Sequence, residues 1–122
     1  NELLQAYAES DAPLLLGSDA PQIFNVPGFS LHREMQYMQD EAGMTPYDVL
    51  VSGTRAIAEF YGESDTFGTV QEGRRADLIL VNGNPLDDVA HASDMAGMVV
   101  RGRWLDADEI QSRLDELAAQ WE

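Results

Sequence analysis

Asp19 closes the run Leu14-Leu15-Leu16-Gly17-Ser18-Asp19, so a short carboxylate stands just past the end of an apolar stretch. If that stretch is a buried strand, the carboxylate would point from the strand's carboxyl end into a cleft, where barrel enzymes keep their catalytic groups. On spacing alone, an aspartate capping the turn in GSDAP is the simpler reading. His32 and His91 are the only imidazoles. His32 falls in the first turn of an expected helix beyond the Asp19 loop, from which it could face the same cleft and contact substrate. A satisfied or exposed histidine is the plainer account. Glu34 could order the loop, although a glutamate in a first helical turn is also favoured by the helix dipole. His91, between Ala90 and Ala92, reads as surface, and Met35, Met38 and Met44 read as packing rather than as ligands for copper or haem.

Composition narrows the chemistry. There is no cysteine, so disulfides and thiolate metal sites are excluded and any metal must use carboxylate or imidazole. A net charge of −15 argues against nucleic acid and anionic membrane as partners, since phosphates would be repelled. All 7 basic residues are arginine, which fits either adaptation to high salt or a coding bias. No segment reaches the roughly 20 apolar residues of a membrane span, and the opening NELLQAYAES lacks the features of a signal peptide. At 122 residues the chain is well short of a (β/α)8 barrel of about 250.

The elements that must position these groups follow from periodicity and punctuation. Leu3, Leu4, Tyr7 and Ala8 share a helical face, as in a helix already under way, and the chain is expected to start inside a longer protein. Residues 13–17 (PLLLG) form a short continuous apolar run, the pattern of a strand buried on both sides, and residues 20–29 should form a loop. Ser30 is the expected cap of a helix lined by Leu31, Met35, Met38 and Ala42 and ending at Gly43. Thr45-Pro46-Tyr47-Asp48 is a capping box with proline at the first helical position, opening a helix that runs to Tyr61 and stops at Gly62. After GESDTFG the period changes: residues 76–81 (ADLILV) and Met98-Val99-Val100 read as strands. Asp106-Ala107-Asp108-Glu109 is a second capping box, and Ile110, Leu114, Leu117, Ala118 and Trp121 make the stripe of a terminal amphipathic helix.

LLLGSDAP resembles the last barrel strand of the amidohydrolase superfamily, in which Gly-(Ser/Thr)-Asp supplies a metal-binding aspartate that also acts as general base. The resemblance continues through VPGFSLHREMQYMQDEAGMTPYDVLVSGTRAIAEFYG, FGTVQEGRRADLILVNGNPLDDV and MVVRGRW, covering about residues 13 to 105 in the family's order. It is nearest to imidazolonepropionase-like and prolidase-like members. Ala56-Ile57-Ala58 stands where many relatives have Asn-Pro-Ala, a structural position. The resemblance implies an α/β chain: the end of a (β/α)8 metal-dependent hydrolase barrel over residues 1–62, strands of a small composite β-sandwich over 63–105, and a terminal helix over 106–122. It places Arg74-Arg75 at a solvated bend rather than an anion site, and makes Asp77 and Asn84-Pro85 turn residues.

For function, the resemblance implies a parent enzyme that hydrolyses carbon–nitrogen bonds of small amides, cyclic amides or dipeptides through water activated by a divalent ion, usually zinc. Asp19 is the implied ligand and general base, with His32 a candidate substrate contact. The remaining ligands, a His-x-His pair, often a carboxylated lysine, and two more histidines, belong to earlier strands. The chain alone is therefore expected to be inactive and to bind no metal. It is also expected to self-associate through an exposed barrel surface, to need the rest of the barrel as partner, and to be cytoplasmic. The rival expectation is a non-catalytic assembly module that kept the sandwich and helices for packing.

Overall fold

The computed structural model describes residues 2–8, 10 and 13–120. It is a mixed α/β structure in which four helices precede a three-stranded antiparallel sheet and a fifth helix follows it. α1 spans Glu2–Ala8. Of the expected apolar face of α1, Leu3 and Tyr7 are both exposed. The side chains of Leu4 and Ala8, and the whole of Trp121, lie outside the described residues.

Residues 13–17 are not a strand. The Leu16 N–H donates to the Ser52 carbonyl at 3.2 Å, a bond to a helix end rather than to a sheet neighbour. A doubly buried parallel strand needs ladder partners on its flanks, and the one sheet among the described residues lies elsewhere in the sequence. Leu14 and Leu16 still pack inward, against a core built from Met35, Met38, Val49, Val89 and Ala92.

α2 runs Phe29–Asp40, two residues earlier than the Ser30 cap implies. Gly28 is its N-cap, in the left-handed region at φ 82°, and Ser30 is buried inside the first turn. The Ser30 hydroxyl instead accepts the Val26 N–H at 2.8 Å and so holds the entering loop. The helix stops at Asp40 because Gly43 turns left-handed, φ 73°, and the Met44 N–H closes onto the Met38 carbonyl at 3.1 Å.

The single helix expected over residues 46–61 is broken in two: α3 at Pro46–Ser52 and α4 at Arg55–Phe60. Its start is as expected, with Thr45 Oγ1 accepting the Asp48 N–H at 3.2 Å. The break falls where Leu16 presses on Gly53: a Cβ added there would lie 2.6 Å from Leu16 Cδ2. Thr54 Oγ1 then donates to the Leu50 carbonyl at 2.6 Å, occupying an acceptor that a continuous helix would give to a backbone amide.

β1 (Leu78–Val81) pairs with β2 (Met95–Val100), which pairs with β3 (Arg103–Asp106). The third strand escaped the sequence reading. Its signal was Arg101-Gly102, both at positive φ (50° and 80°), the conformation that a two-residue hairpin turn demands. Between β1 and β2 a 310 turn at Val89–Ser93 buries Val89 and Ala92 against α2, and the Val89 N–H donates to Gln39 Oε1 at 3.2 Å. This turn is the tie between the sheet and the helices. α5 (Ala107–Ala118) starts where expected, with Asp106 Oδ1 accepting the Glu109 N–H at 2.8 Å.

Candidate functional site

Asp19 lies at the surface in a left-handed conformation, φ 51°, in the loop between residues 13–17 and α2. Aspartate tolerates that region better than most residues because its short carboxylate bonds locally. Here the carboxylate accepts a hydrogen bond from the Gln22 side-chain amide. The loop continues through a cis Ala20–Pro21 peptide and folds on itself at Gln22 and Asn25, whose backbones bridge with the Asn25 N–H donating to the Gln22 carbonyl at 2.9 Å.

Three side chains hold this turn. Asn25 Nδ2 donates to the Ser18 carbonyl at 2.9 Å. Arg33, from α2, donates to Asn25 Oδ1 at 3.2 Å and to the Phe24 carbonyl at 3.4 Å. Ser30 secures Val26 as described. Within the turn Phe24 is left-handed, φ 69°, a conformation costing on the order of 1–3 kcal/mol for a non-glycine residue that the surroundings must impose. Neither Asn25 nor Arg33 was singled out from the sequence. An asparagine between a glutamine and a proline-glycine pair reads as a turn former, and only the fold shows that its amide reaches back to Ser18.

His32 is half-buried on α2, and its Nδ1 is enclosed without a hydrogen-bond partner. Glu34 is half-buried as well. His91 is exposed and its Nδ1 lies 2.9 Å from the Asn84 carbonyl. Among the described residues, no group of three or more histidine, aspartate or glutamate side chains converges as a metal site. An isolated surface carboxylate already engaged by an amide does not fit a divalent ion, which needs several ligands in a fixed geometry.

The arginine pair at 74 and 75 is absorbed by structure. Arg74 Nη1 donates to the Phe67 carbonyl at 3.2 Å, and Arg75 pairs with Asp77 while its guanidinium sits 4.9 Å over the Phe67 ring. Asp77 does bond a turn amide, but a distant one: its Oδ1 accepts the Arg101 N–H at 2.7 Å. That bond, together with the Arg75 charge, holds the Asp77 carboxyl below the usual carboxylate range. A cleft of about 540 Å³ lies between Gly53-Thr54, Phe67 and the β1–β2 face and shares no lining residue with the Asp19 loop. It is mostly apolar, so the chemistry-bearing loop and this hollow are separate features.

A mixed chain of this order, helices leading into a small antiparallel sheet and a last helix, matches solved amidohydrolases. The amidohydrolase family profile matches residues 1–105, and the chain belongs to that family. A solved Xaa-Pro dipeptidase with bound methionine in its active site superimposes with a TM-score of 0.74 at 25% identity, over 87% of this chain and 25% of its own. A candidate prolidase from Bifidobacterium longum gives 0.75 at 27% identity, over 93% of this chain and 29% of its own. Molinate hydrolase gives 0.71 at 27%, over 86% and 26%. The chain thus spans about a quarter of the length of these relatives. No curated protein matches it in sequence. Members of the family generally bind a divalent metal. Among the described residues no helix is long and apolar enough to cross a membrane.

Proposed function

We propose that this chain is the carboxyl-terminal portion of a metal-dependent amidohydrolase that cleaves carbon–nitrogen bonds in small amides or dipeptides. The observation that carries the reading is the family match over residues 1–105, with Asp19 in the Gly-Ser-Asp sequence at the mouth of the loop before α2. The two prolidase-type relatives favour a dipeptide substrate over a larger one. On this reading residues 1–62 end the barrel, 63–105 contribute sandwich strands and 106–122 form the closing helix.

Asp19 is the proposed general base, taking a proton from the attacking water and returning it to the leaving nitrogen. His32, with an unpartnered nitrogen on the helix that follows, is the proposed substrate contact. The ion itself, zinc in the family pattern, requires ligands that the described residues do not supply. The chain alone is therefore proposed to be inactive and to need the rest of the barrel. The exposed Ile23, Phe24, Val26 and Phe29 side chains support self-association when that cover is lacking. We place the parent in the cytoplasm.

The test pairs two preparations. The 122-residue chain, dialysed against metal-free buffer, should retain less than about a tenth of an equivalent of zinc, manganese or nickel, because a lone carboxylate cannot hold the ion. The longer protein carrying its upstream reading frame should release proline or an amine from Xaa-Pro dipeptides or N-acyl amides, and Asp19→Asn should lower kcat by at least about 10³-fold. A longer protein that binds no metal and cleaves none of these substrates would favour the non-catalytic assembly module instead.

A further inference from the structure

We infer that Asn25 is a positioning residue for Asp19, clamped in place by Arg33, an assignment that rests on the reading of Asp19 as the catalytic base. The Asn25 carboxamide is used at both ends: Nδ2 donates to the Ser18 carbonyl at 2.9 Å, and Oδ1 accepts from Arg33 Nη2 at 3.2 Å. Ser18 is the residue before Asp19, so the peptide leading into the reactive carboxylate is tied through one side chain to a helix. The backbone bridge between Asn25 and Gln22 carries the same tie to the far side, where the Gln22 amide meets the Asp19 carboxylate. Asp19 is thereby bracketed by two bonds that both trace to Asn25.

The geometry needs an amide at this position. A carboxylate at 25 would keep the acceptor for Arg33 but set an oxygen against the Ser18 carbonyl, and an aliphatic residue would lose both bonds. Arg33 serves because its Nη2 donates to both Asn25 Oδ1 and the Phe24 carbonyl, which fixes the turn at a residue that is left-handed without being glycine. A loop so held keeps a general base within the narrow distance that proton transfer requires, and a displacement of about 1 Å costs a reaction roughly 10²-fold.

The experiment has two arms. In the full-length enzyme that carries this chain, Asn25→Asp and Arg33→Ala should each lower kcat by about 10- to 100-fold while KM stays within about twofold, because the substrate contacts are intact and only the base has moved. In the 122-residue chain, backbone order parameters from nitrogen-15 relaxation should fall at Asp19 from about 0.85 to below about 0.6 in either variant. A kcat within about twofold of the unsubstituted enzyme, or an Asp19 order parameter that does not change, overturns the inference. The Asp19→Asn control separates the two claims: if that variant keeps its activity, the functional reading fails on its own account, while its inactivity beside fully active Asn25 variants sinks only the positioning role.

Discussion

The Asp77 carboxylate accepts the backbone N–H of Arg101 at 2.7 Å, across 24 residues of sequence. Through it the residue before β1 holds the tight turn that joins β2 to β3, and the Gly102 N–H adds a second tie to the Ala76 carbonyl at 3.0 Å. All three strands are thus pinned at one end by the Ala76-Asp77 pair.

Because the Arg101 amide first, and the Arg75 charge after it, lower the folded-state pKa of Asp77 below its ordinary 3.8, the pair stabilises the fold above that ordinary value. The contribution falls away as pH drops through the lower folded value. Acid titration of the folded chain should therefore show a stability loss beginning below about pH 5 that is reduced in Asp77→Asn. An identical acid profile in the two proteins would deny the carboxylate this role.

Gly97 lies opposite Asp106 in the β2–β3 ladder with the Trp104 ring reaching over it, so an added Cβ would stand 2.3 Å from that ring and 2.8 Å from the Leu105 carbonyl. The ring could swing away, but the backbone oxygen cannot do so without bending the strand. Gly97→Ala should destabilise by about 1–3 kcal/mol, read from the urea midpoint. An unchanged midpoint would mean that the ring does not lie over this glycine.

Val49 is fully enclosed at 0% exposure, in the middle of the core shared by α2, α3 and the 310 turn. Val49→Ala should cost about 2 kcal/mol through lost burial and an unfilled cavity. Leu3→Ala, at 71% exposed, should change stability by less than about 0.5 kcal/mol. Equal costs at the two positions would contradict the placement of the core.

The carboxylate of Asp106 caps α5 by accepting the Glu109 N–H, and Arg103 and Arg113 both reach the Glu109 side chain from either side. Asp106→Ala should cost about 1 kcal/mol and lower helical circular dichroism through fraying of α5. The surface ion pairs should add little, so Arg113→Ala should change stability by less than about 0.5 kcal/mol.

At the candidate site, Asp19 was legible because a motif carries it: a short carboxylate after an apolar run and Gly-Ser. Asn25 and Arg33 were not, since their partners lie in the loop's own folded backbone and no spacing rule announces an amide that reaches from residue 25 to the carbonyl of residue 18. His32 was legible as a helix residue near the loop, whereas the enclosure of its Nδ1 is a packing result.

What the sequence by itself determined is local or inherited as a motif: the caps at Thr45 and Asp106, the terminal helix, the strand at Leu78–Val81 and membership of the amidohydrolase family. Capping and periodicity depend on neighbours within a turn or two, so they survive in any tertiary setting. The tertiary structure alone decided the break at Gly53, the partner of Asp77 and the lack of a ladder at residues 13–17. Each of these depends on an atom brought from far along the chain, or on a neighbouring strand for which the described residues offer no counterpart, and a run such as PLLLG becomes a parallel strand only where such neighbours flank it.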